Sequence, residues 1–269
     1  MRRIIKRLPL AQQLYRHYQE LKYERQFAEN CYGCFRGVYE TFEQAISAAP
    51  KTKSIGYDNS ALAQEYQSTT ELKTTIHSYD YAVLFWLKSI FDINSINLSL
   101  FDFGGNVGIH FYGYEKYLNY PANFQWIVCD LPEIVNAGKE LAHKRQRSEL
   151  VFTCNFEEAS GTDVFLASGS IQYVENLSIS ILGLLEKPKH LLVNRLPLYE
   201  GEQFVTLQNG GKVFYPSYVF NQSNFIDSFK EIGYELIDIW EDWNDSCIIP
   251  FHPEKSLLFY RGIYFKLRS

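Results

Sequence analysis

The chain has no basic surplus. Its 26 Lys and Arg stand against 31 Asp and Glu, a net charge of −5. A general nucleic-acid binder carries a clustered positive excess, so no nucleic-acid partner is expected. No apolar run approaches the ~20 residues that cross a bilayer. The basic start is followed only by "LPLAQQL", too short and too polar for a signal peptide. These absences predict a cytoplasmic protein. Cysteine is scarce, at five residues. Cys31 and Cys34 form a lone "CYGC" with no second pair at zinc-ligand spacing. The pair lies in a Gly- and aromatic-rich stretch, not at the strand-to-helix step of a redox site, so free, partly buried thiols are expected. No His, Asp or Glu cluster has metal spacing, and no metal is expected. The "LASGSI" around Ser168 and Ser170 lacks the G-x-S-x-G elbow of a serine hydrolase. Repeats and low-complexity tracts are absent as well.

What is present is apolar and aromatic, with 20 Tyr and 20 Phe among 269 residues. That is enough for one large α/β domain with an extension. Arg2, Arg3, Lys6, Arg7, Arg16, Lys22 and Arg25 make the start locally basic. This segment reads as a solvated helix face, or as a weak contact for an anionic membrane surface. A helix is predicted over about 8–30, a short one after a Thr41 cap, another from Asp58 or Asn59, and a longer one over Ser78–Phe91. Residues 1–92 are therefore expected as a mainly helical cap or dimer contact, and 93–269 as the principal domain.

From "LSLFDFGG" the texture alternates. Strands are predicted there and in "FQWIVCD", "LVFTCNF", "DVFLASGSI" and "HLLVNRL", with helices over Phe111–Leu118, Pro132–Lys144 and Val174–Glu186 between most of them. Such alternation gives right-handed crossovers and a parallel sheet. "YELIDIWEDW" and "SLLFYRGIYFKLR" have no helix between them and read as a closing antiparallel pair. The fold class is α/β and Rossmann-like.

The strongest chemical signal is "FDFGGNVG", Phe101–Gly108. Glycines after a first strand let the backbone turn tightly and a ligand come close. A helix that follows would aim its first amides at the same cleft. Asp130 ends the next strand, a little over twenty residues beyond Gly108, where an acid takes the ribose hydroxyls of an adenosine. A dinucleotide turn spells G-x-G-x-x-G, whereas here Gly104, Gly105, Asn106 and Gly108 follow an acid, Asp102. An acid suits a cationic ligand better than a pyrophosphate, which points to S-adenosylmethionine. Leu131 follows Asp130 at the ribose end. Asn155 could bond the adenine amino group with Phe156 covering the ring, or could simply turn the chain at a strand end. Ser168 closes the fourth strand on the same side.

Here the sequence resembles a family. "FDFGGNVG" with "CDLPEIV" resembles the "DVGGGxG … DLPxV" pair of small-molecule O-methyltransferases. "GYDN", "FLASGSIQYVEN", "VNRLPL", "VTLQ", "FYPSYVFNQSNFIDSF" and "YRGIYFKL" resemble a methyltransferase family encoded in bacterial capsule and lipopolysaccharide loci, over about residues 30–269. The resemblance implies a class I methyltransferase fold, seven strands with the last antiparallel, and a role in polysaccharide biosynthesis. It does not supply a base: the plant-type enzymes carry a His after the fourth strand, where this chain has Gln172 and Tyr173.

Methyl transfer depends on positioning, and a hydroxyl acceptor also needs a proton taken. His110, Tyr173 and Arg195 are the catalytic candidates. His110 reads as a base or as a helix-turn residue, and Arg195 as a partner for an anionic substrate or as one half of a structural ion pair. Gln172, Tyr215 and Tyr218 are the candidate substrate contacts. The expected function is a methyltransferase acting on a small molecule or surface-glycan precursor, with oxygen favoured. The rivals are an NAD-dependent oxidoreductase and a non-catalytic scaffold of the same fold.

Overall fold

The computed structural model describes residues 9–56, 75–93 and 97–268. Arg2, Arg3, Lys6, Arg7 and the expected cap at Asp58 or Asn59 lie outside them. The chain divides into two compact units, one of residues 1–56, 204–217 and 247–256, the other of 57–203, 218–246 and 257–269. The units are interleaved along the chain, unlike the linear boundary expected between 92 and 93.

In the first unit, helix α1 (Pro9–Ala28) is followed by strand β1 (Phe35–Tyr39), helix α2 (Phe42–Ser47) and the short strand β2 (Ser54–Ile55). Helix α2 starts as its sequence predicts, with the Thr41 hydroxyl accepting from the Gln44 N–H at 3.3 Å. The described part of the first hundred residues is mainly helical, as expected, with β1 and β2 as short additions. β1 pairs antiparallel with β9 (Phe204–Asn209), and β2 pairs in parallel with Val213 and Phe214 of β10 (Val213–Asn221). Both partners arrive more than 150 residues later, so no local turn announces them. Phe27, Leu207 and Phe214 are wholly buried together, with the Phe27 and Phe214 rings stacked 5.3 Å apart. Cys31 and Cys34 form a disulfide, which corrects the expectation of free thiols. The Cys34 N–H donates to the Cys31 carbonyl in a turn that sets their Cα atoms 5.4 Å apart, within disulfide reach.

The second unit carries a 3₁₀ turn (Ser78–Asp80) running into helix α3 (Tyr81–Ile93), then strands β3 (Ser99–Phe103), β4 (Gln125–Cys129), β5 (Leu150–Thr153), β6 (Val164–Ser168) and β7 (His190–Leu196). Helices α4 (Ile109–Tyr114), α5 (Pro132–Lys144) and α6 (Leu177–Leu182) lie between them, and β8 (Leu198–Tyr199) follows β7 and pairs with Phe220 and Asn221. Helix α7 (Gln222–Glu231) leads to β11 (Tyr234–Asp242), and β12 (Tyr260–Leu267) closes the sheet. All seven predicted strands are present. Helix α5 matches its expected span, whereas α4 and α6 are shorter than expected. The sheet order is β11-β12-β7-β6-β3-β4-β5, with β12 antiparallel to both neighbours and the β5-to-β7 stretch parallel. β6 is buried along its whole length, as a strand covered on both faces must be. Strand order reverses between β3 and β6, and α/β sheets place ligands at the carboxyl ends of the strands at such a point. No helix of the described residues is long and apolar enough to cross a membrane.

Candidate functional site

The glycine turn leaves β3 at this reversal point. Gly104 adopts φ +71°, and a Cβ there would meet the Ser170 Cβ at 2.4 Å. Only glycine fits between the end of β3 and the residues that follow β6. The Ser170 hydroxyl fastens the contact by donating to the Phe103 carbonyl at 2.7 Å.

The amides of the turn are used inside the protein. The Asn106 N–H donates to Asp130 Oδ2 at 2.9 Å, and Val107 N–H to Asn106 Oδ1 at 2.7 Å. The Gly108 and Ile109 N–H groups both donate to the Gly105 carbonyl. Helix α4 has only six residues, so the amides expected to face a ligand are instead spent on the turn. A pyrophosphate needs such amides free; this turn offers none between Asn106 and Ile109.

Asp130 stands at the end of β4 as expected. Its second oxygen accepts from the Leu131 N–H at 2.8 Å. Burial, only partly countered by the Leu131 and Asn106 hydrogen bonds, pushes its pKa up to about 6, with the charge of Asp102 adding to the rise.

Asp102 is not where a direct contact would need it. It is wholly buried, its carboxylate shared between His110 Nδ1 at 3.0 Å and the Trp126 indole N–H at 3.1 Å. It therefore braces the turn from beneath instead of holding the ligand's cation. His110 is buried too, which corrects its reading as a base open to substrate. Burial lowers its pKa, yet the charge and hydrogen bond of Asp102, with Asp80 behind, carry it above the ordinary histidine value. A histidine buried on a carboxylate has no open face from which to take a substrate's proton. Asp80 accepts from Tyr114 at 2.6 Å, and both are buried. Trp126, Asp80 and Tyr114 escaped the sequence reading, because an apolar strand and a helix start give no sign of which polar atoms meet inside.

Asn155 caps a 3₁₀ turn through the Glu157 N–H, the plainer of its two expected roles. Phe156 joins Phe101, Phe103 and Phe165 in an aromatic cluster beside the β3 and β6 ends. Ser168 is buried against Asn194. Gln172 donates to the Gly169 carbonyl, and its Oε1 is buried with no partner. Tyr173 ends the same 3₁₀ turn, Ile171–Tyr173.

Arg195 sits in the ion pair that was the alternative to a substrate contact. Its guanidinium donates twice to Asp245, at 2.5 and 3.2 Å, and lies 4.4 Å from the Tyr79 ring centre. Burial alone would lower its pKa, but the Asp245 carboxylate raises it. Tyr218 donates to Glu175 at 2.8 Å in the second unit. Tyr215 belongs to the first unit, beneath Gly210. The glycine turn, Asp130, Ser168 and Gln172 thus gather at the ends of β3, β4 and β6. Asp102 and His110 support them from inside, and Arg195 is occupied elsewhere.

Six strands running in one direction, with the antiparallel β12 inserted between β7 and the edge strand β11, define the seven-stranded sheet. This is the class I methyltransferase fold. No protein-family model and no curated protein matches the sequence. Among solved structures, the chain is similar to a SAM-dependent methyltransferase of Aquifex aeolicus, at 10% identity and TM-score 0.48, over 79% of this chain and 100% of that one. It is also similar to magnesium protoporphyrin IX methyltransferase of Synechocystis with bound SAM, at 14% identity and TM-score 0.46, over 80% and 87%. A third is the 1,6-didemethyltoxoflavin-N1-methyltransferase of Burkholderia thailandensis, at 14% and 0.46, over 78% and 87%. Here the fold is read from the strand order itself.

Proposed function

We propose that this chain is an S-adenosylmethionine-dependent methyltransferase acting on a small molecule or a surface-glycan precursor, with oxygen the favoured acceptor atom, in cytoplasmic polysaccharide biosynthesis. The observation that carries the choice of cofactor is the use of every amide from Asn106 to Ile109 within the turn, beside an acid at the end of β4. Such a turn has no cradle for a pyrophosphate and suits a ligand without phosphate. The polar groups nearby fit a cationic adenosine. Asp130 would take the ribose hydroxyls, the Gly104–Gly105 backbone the methionine end, and the unpartnered Gln172 Oε1 an ammonium donor. Phe156 would flank the adenine. When bound, S-adenosylmethionine would supply a methyl group on a sulfonium. His110 and Asp102 act as positioning residues for the turn.

Calorimetry with S-adenosylhomocysteine and, separately, NADH tests the reading. One site for the first and none for the second is expected. Heat from NADH alone would overturn it. Asp130→Asn should weaken S-adenosylhomocysteine binding about ten-fold or more, the worth of hydrogen bonds to a charged group. The scaffold reading draws on Gln172 and Tyr173 standing after β6 where the plant-type enzymes carry a His. Release of S-adenosylhomocysteine from S-adenosylmethionine on adding a cell-envelope extract would dismiss it.

A further inference from the structure

The second unit holds a cavity of about 230 Å³ between the residues that follow β6, the end of β10 and helix α7. One short 3₁₀ turn, Ile171–Tyr173, separates it along the chain from Ser170, which packs on Gly104. One wall is aromatic. Tyr218 and Phe220 stack with centroids 5.6 Å apart, Phe220 and Phe225 lie at 5.3 Å, and Phe225 and Phe229 at 5.2 Å. All four rings are at least nine-tenths buried, so their places are fixed by packing. Apart from Val174 and Leu177, the rest of the lining is polar: Asn176, Ser178, Gln203, Asn224 and Ser228, with Glu175. Asn176 is held at φ +51° where α6 begins, and Glu175 is tied to the Tyr218 hydroxyl at 2.8 Å. The lining contains one acid and no Lys, Arg or His.

We infer that this cavity seats a hydroxylated ring that is neutral or carries an ammonium group. Its volume lies below the roughly 300–1,000 Å³ of pockets for drug-sized ligands, which leaves room for a single ring. An aromatic wall covers the C–H face of such a ring, while amides and hydroxyls, each able to donate and accept, meet vicinal hydroxyls around its edge. The lone carboxylate repels an anionic ring and attracts a cationic one. Sugar acids and phosphates are therefore excluded here, in contrast to the anionic acceptor that Arg195 suggested from sequence alone. As a seat for the methyl acceptor the cavity rests on the methyltransferase reading; as a ring-binding site it does not.

The test uses the full chain and three probes: methyl α-D-glucopyranoside, its 2-amino-2-deoxy counterpart, and the corresponding glucuronide. Binding is read by saturation-transfer NMR, with S-adenosylhomocysteine affinity measured in parallel by calorimetry. The neutral and amino glycosides should bind, and the glucuronide about ten-fold more weakly, the effect of one like charge at partly screened contact distance. Glu175→Gln, an isosteric change at an exposed position, should bring the glucuronide within about two-fold of the neutral glycoside. Asn224→Trp should fill the mouth and abolish glycoside binding without altering S-adenosylhomocysteine affinity. The proposal is overturned if no glycoside binds the unmodified protein, if the glucuronide binds as well as the neutral probe, or if Glu175→Gln leaves their ratio unchanged. Glycoside binding without S-adenosylhomocysteine binding would retire the methyltransferase reading and leave the ring seat standing.

Discussion

Asp102 shows how a single buried carboxylate organises this site. It lies one residue before the end of β3 and accepts from His110 on α4 and Trp126 on β4, so three consecutive elements meet on one side chain. Replacing it by Ala leaves an indole N–H and an imidazole buried without a partner, and should cost about 3–5 kcal/mol in urea unfolding. Trp126→Phe removes one donor and keeps the packing, for a loss nearer ~1 kcal/mol.

Two groups beside the glycine turn contribute to the pH dependence of stability in the same direction, and buried His190 opposes them. The folded pKa of His110 is raised, so its contribution to stability is complete below the unfolded value of about 6.5 and is lost as pH rises through the folded one. Asp130 is raised to about 6 from an unfolded value near 3.9, so the fold favours its protonated form. Its contribution is complete below about pH 4 and is lost between there and pH 6. Without ligand, the Asp130 contribution to unfolding free energy is lost as pH rises from about 4 to 6, while buried His190, its pKa lowered to about 4, adds stability over the same range. Asp130→Asn should therefore make the measured curve rise more steeply between about 4 and 6 than in the unmodified protein. Affinity for S-adenosylhomocysteine should move oppositely to the Asp130 contribution, tightening as Asp130 ionises to accept the ribose hydroxyls.

At the level of elements, the parallel strands were legible because each is an apolar run between turn signals, and burial on both faces demands that pattern. Helix α5 was legible from Pro132 to Lys144, with proline at its first position and a basic last turn. The strands β9 and β10 and helix α7 carry no such local signal. Their pairing depends on partners distant in sequence, and periodicity carries no such information. The site divides in the same way. Glycines and a strand-end acid are visible because their backbone roles demand those residue types. Whether a carboxylate faces a cleft or the interior depends on what the next strand brings, here a tryptophan. Helix α7 offers a clean check on local structure. The Asn221 side chain accepts from the Asn224 N–H at 2.7 Å and donates to the Gly201 carbonyl at 2.8 Å. Asn221→Ala should cost about 1–2 kcal/mol, and Asn221→Ser, which keeps the cap and loses the second bond, about half of that. Because Asn224 lines the ring cavity from the first turn of α7, the Ala variant should also weaken glycoside binding in the NMR experiment.

For the whole molecule, the two units differ in what holds them. The second has a large apolar core wrapped around its sheet, from Val83 to Tyr264. The first has a buried nucleus of Phe27, Leu207 and Phe214, with the Cys31–Cys34 disulfide beside it. A loop that short removes little denatured-state entropy, about 2 kcal/mol. Treatment with a phosphine reductant should lower the thermal midpoint by about 4 °C, and Cys31→Ser with Cys34→Ser should reproduce the shift and abolish the reductant's effect.

The placement of β12 has a consequence for synthesis. Chains emerge from the ribosome N-terminus first. Both neighbours of β12, His190–Leu196 and Tyr234–Asp242, are therefore made before the strand that must lie between them. Until residues 260–267 emerge, a nascent chain carries two unfilled ladders of backbone donors and acceptors on opposite sides of one vacant slot. Such edges pair readily with other chains. Ribosome-bound chains arrested before Tyr260 should thus be the aggregation-prone, chaperone-dependent species, and a peptide spanning the missing strand, supplied in trans, should compete for the slot.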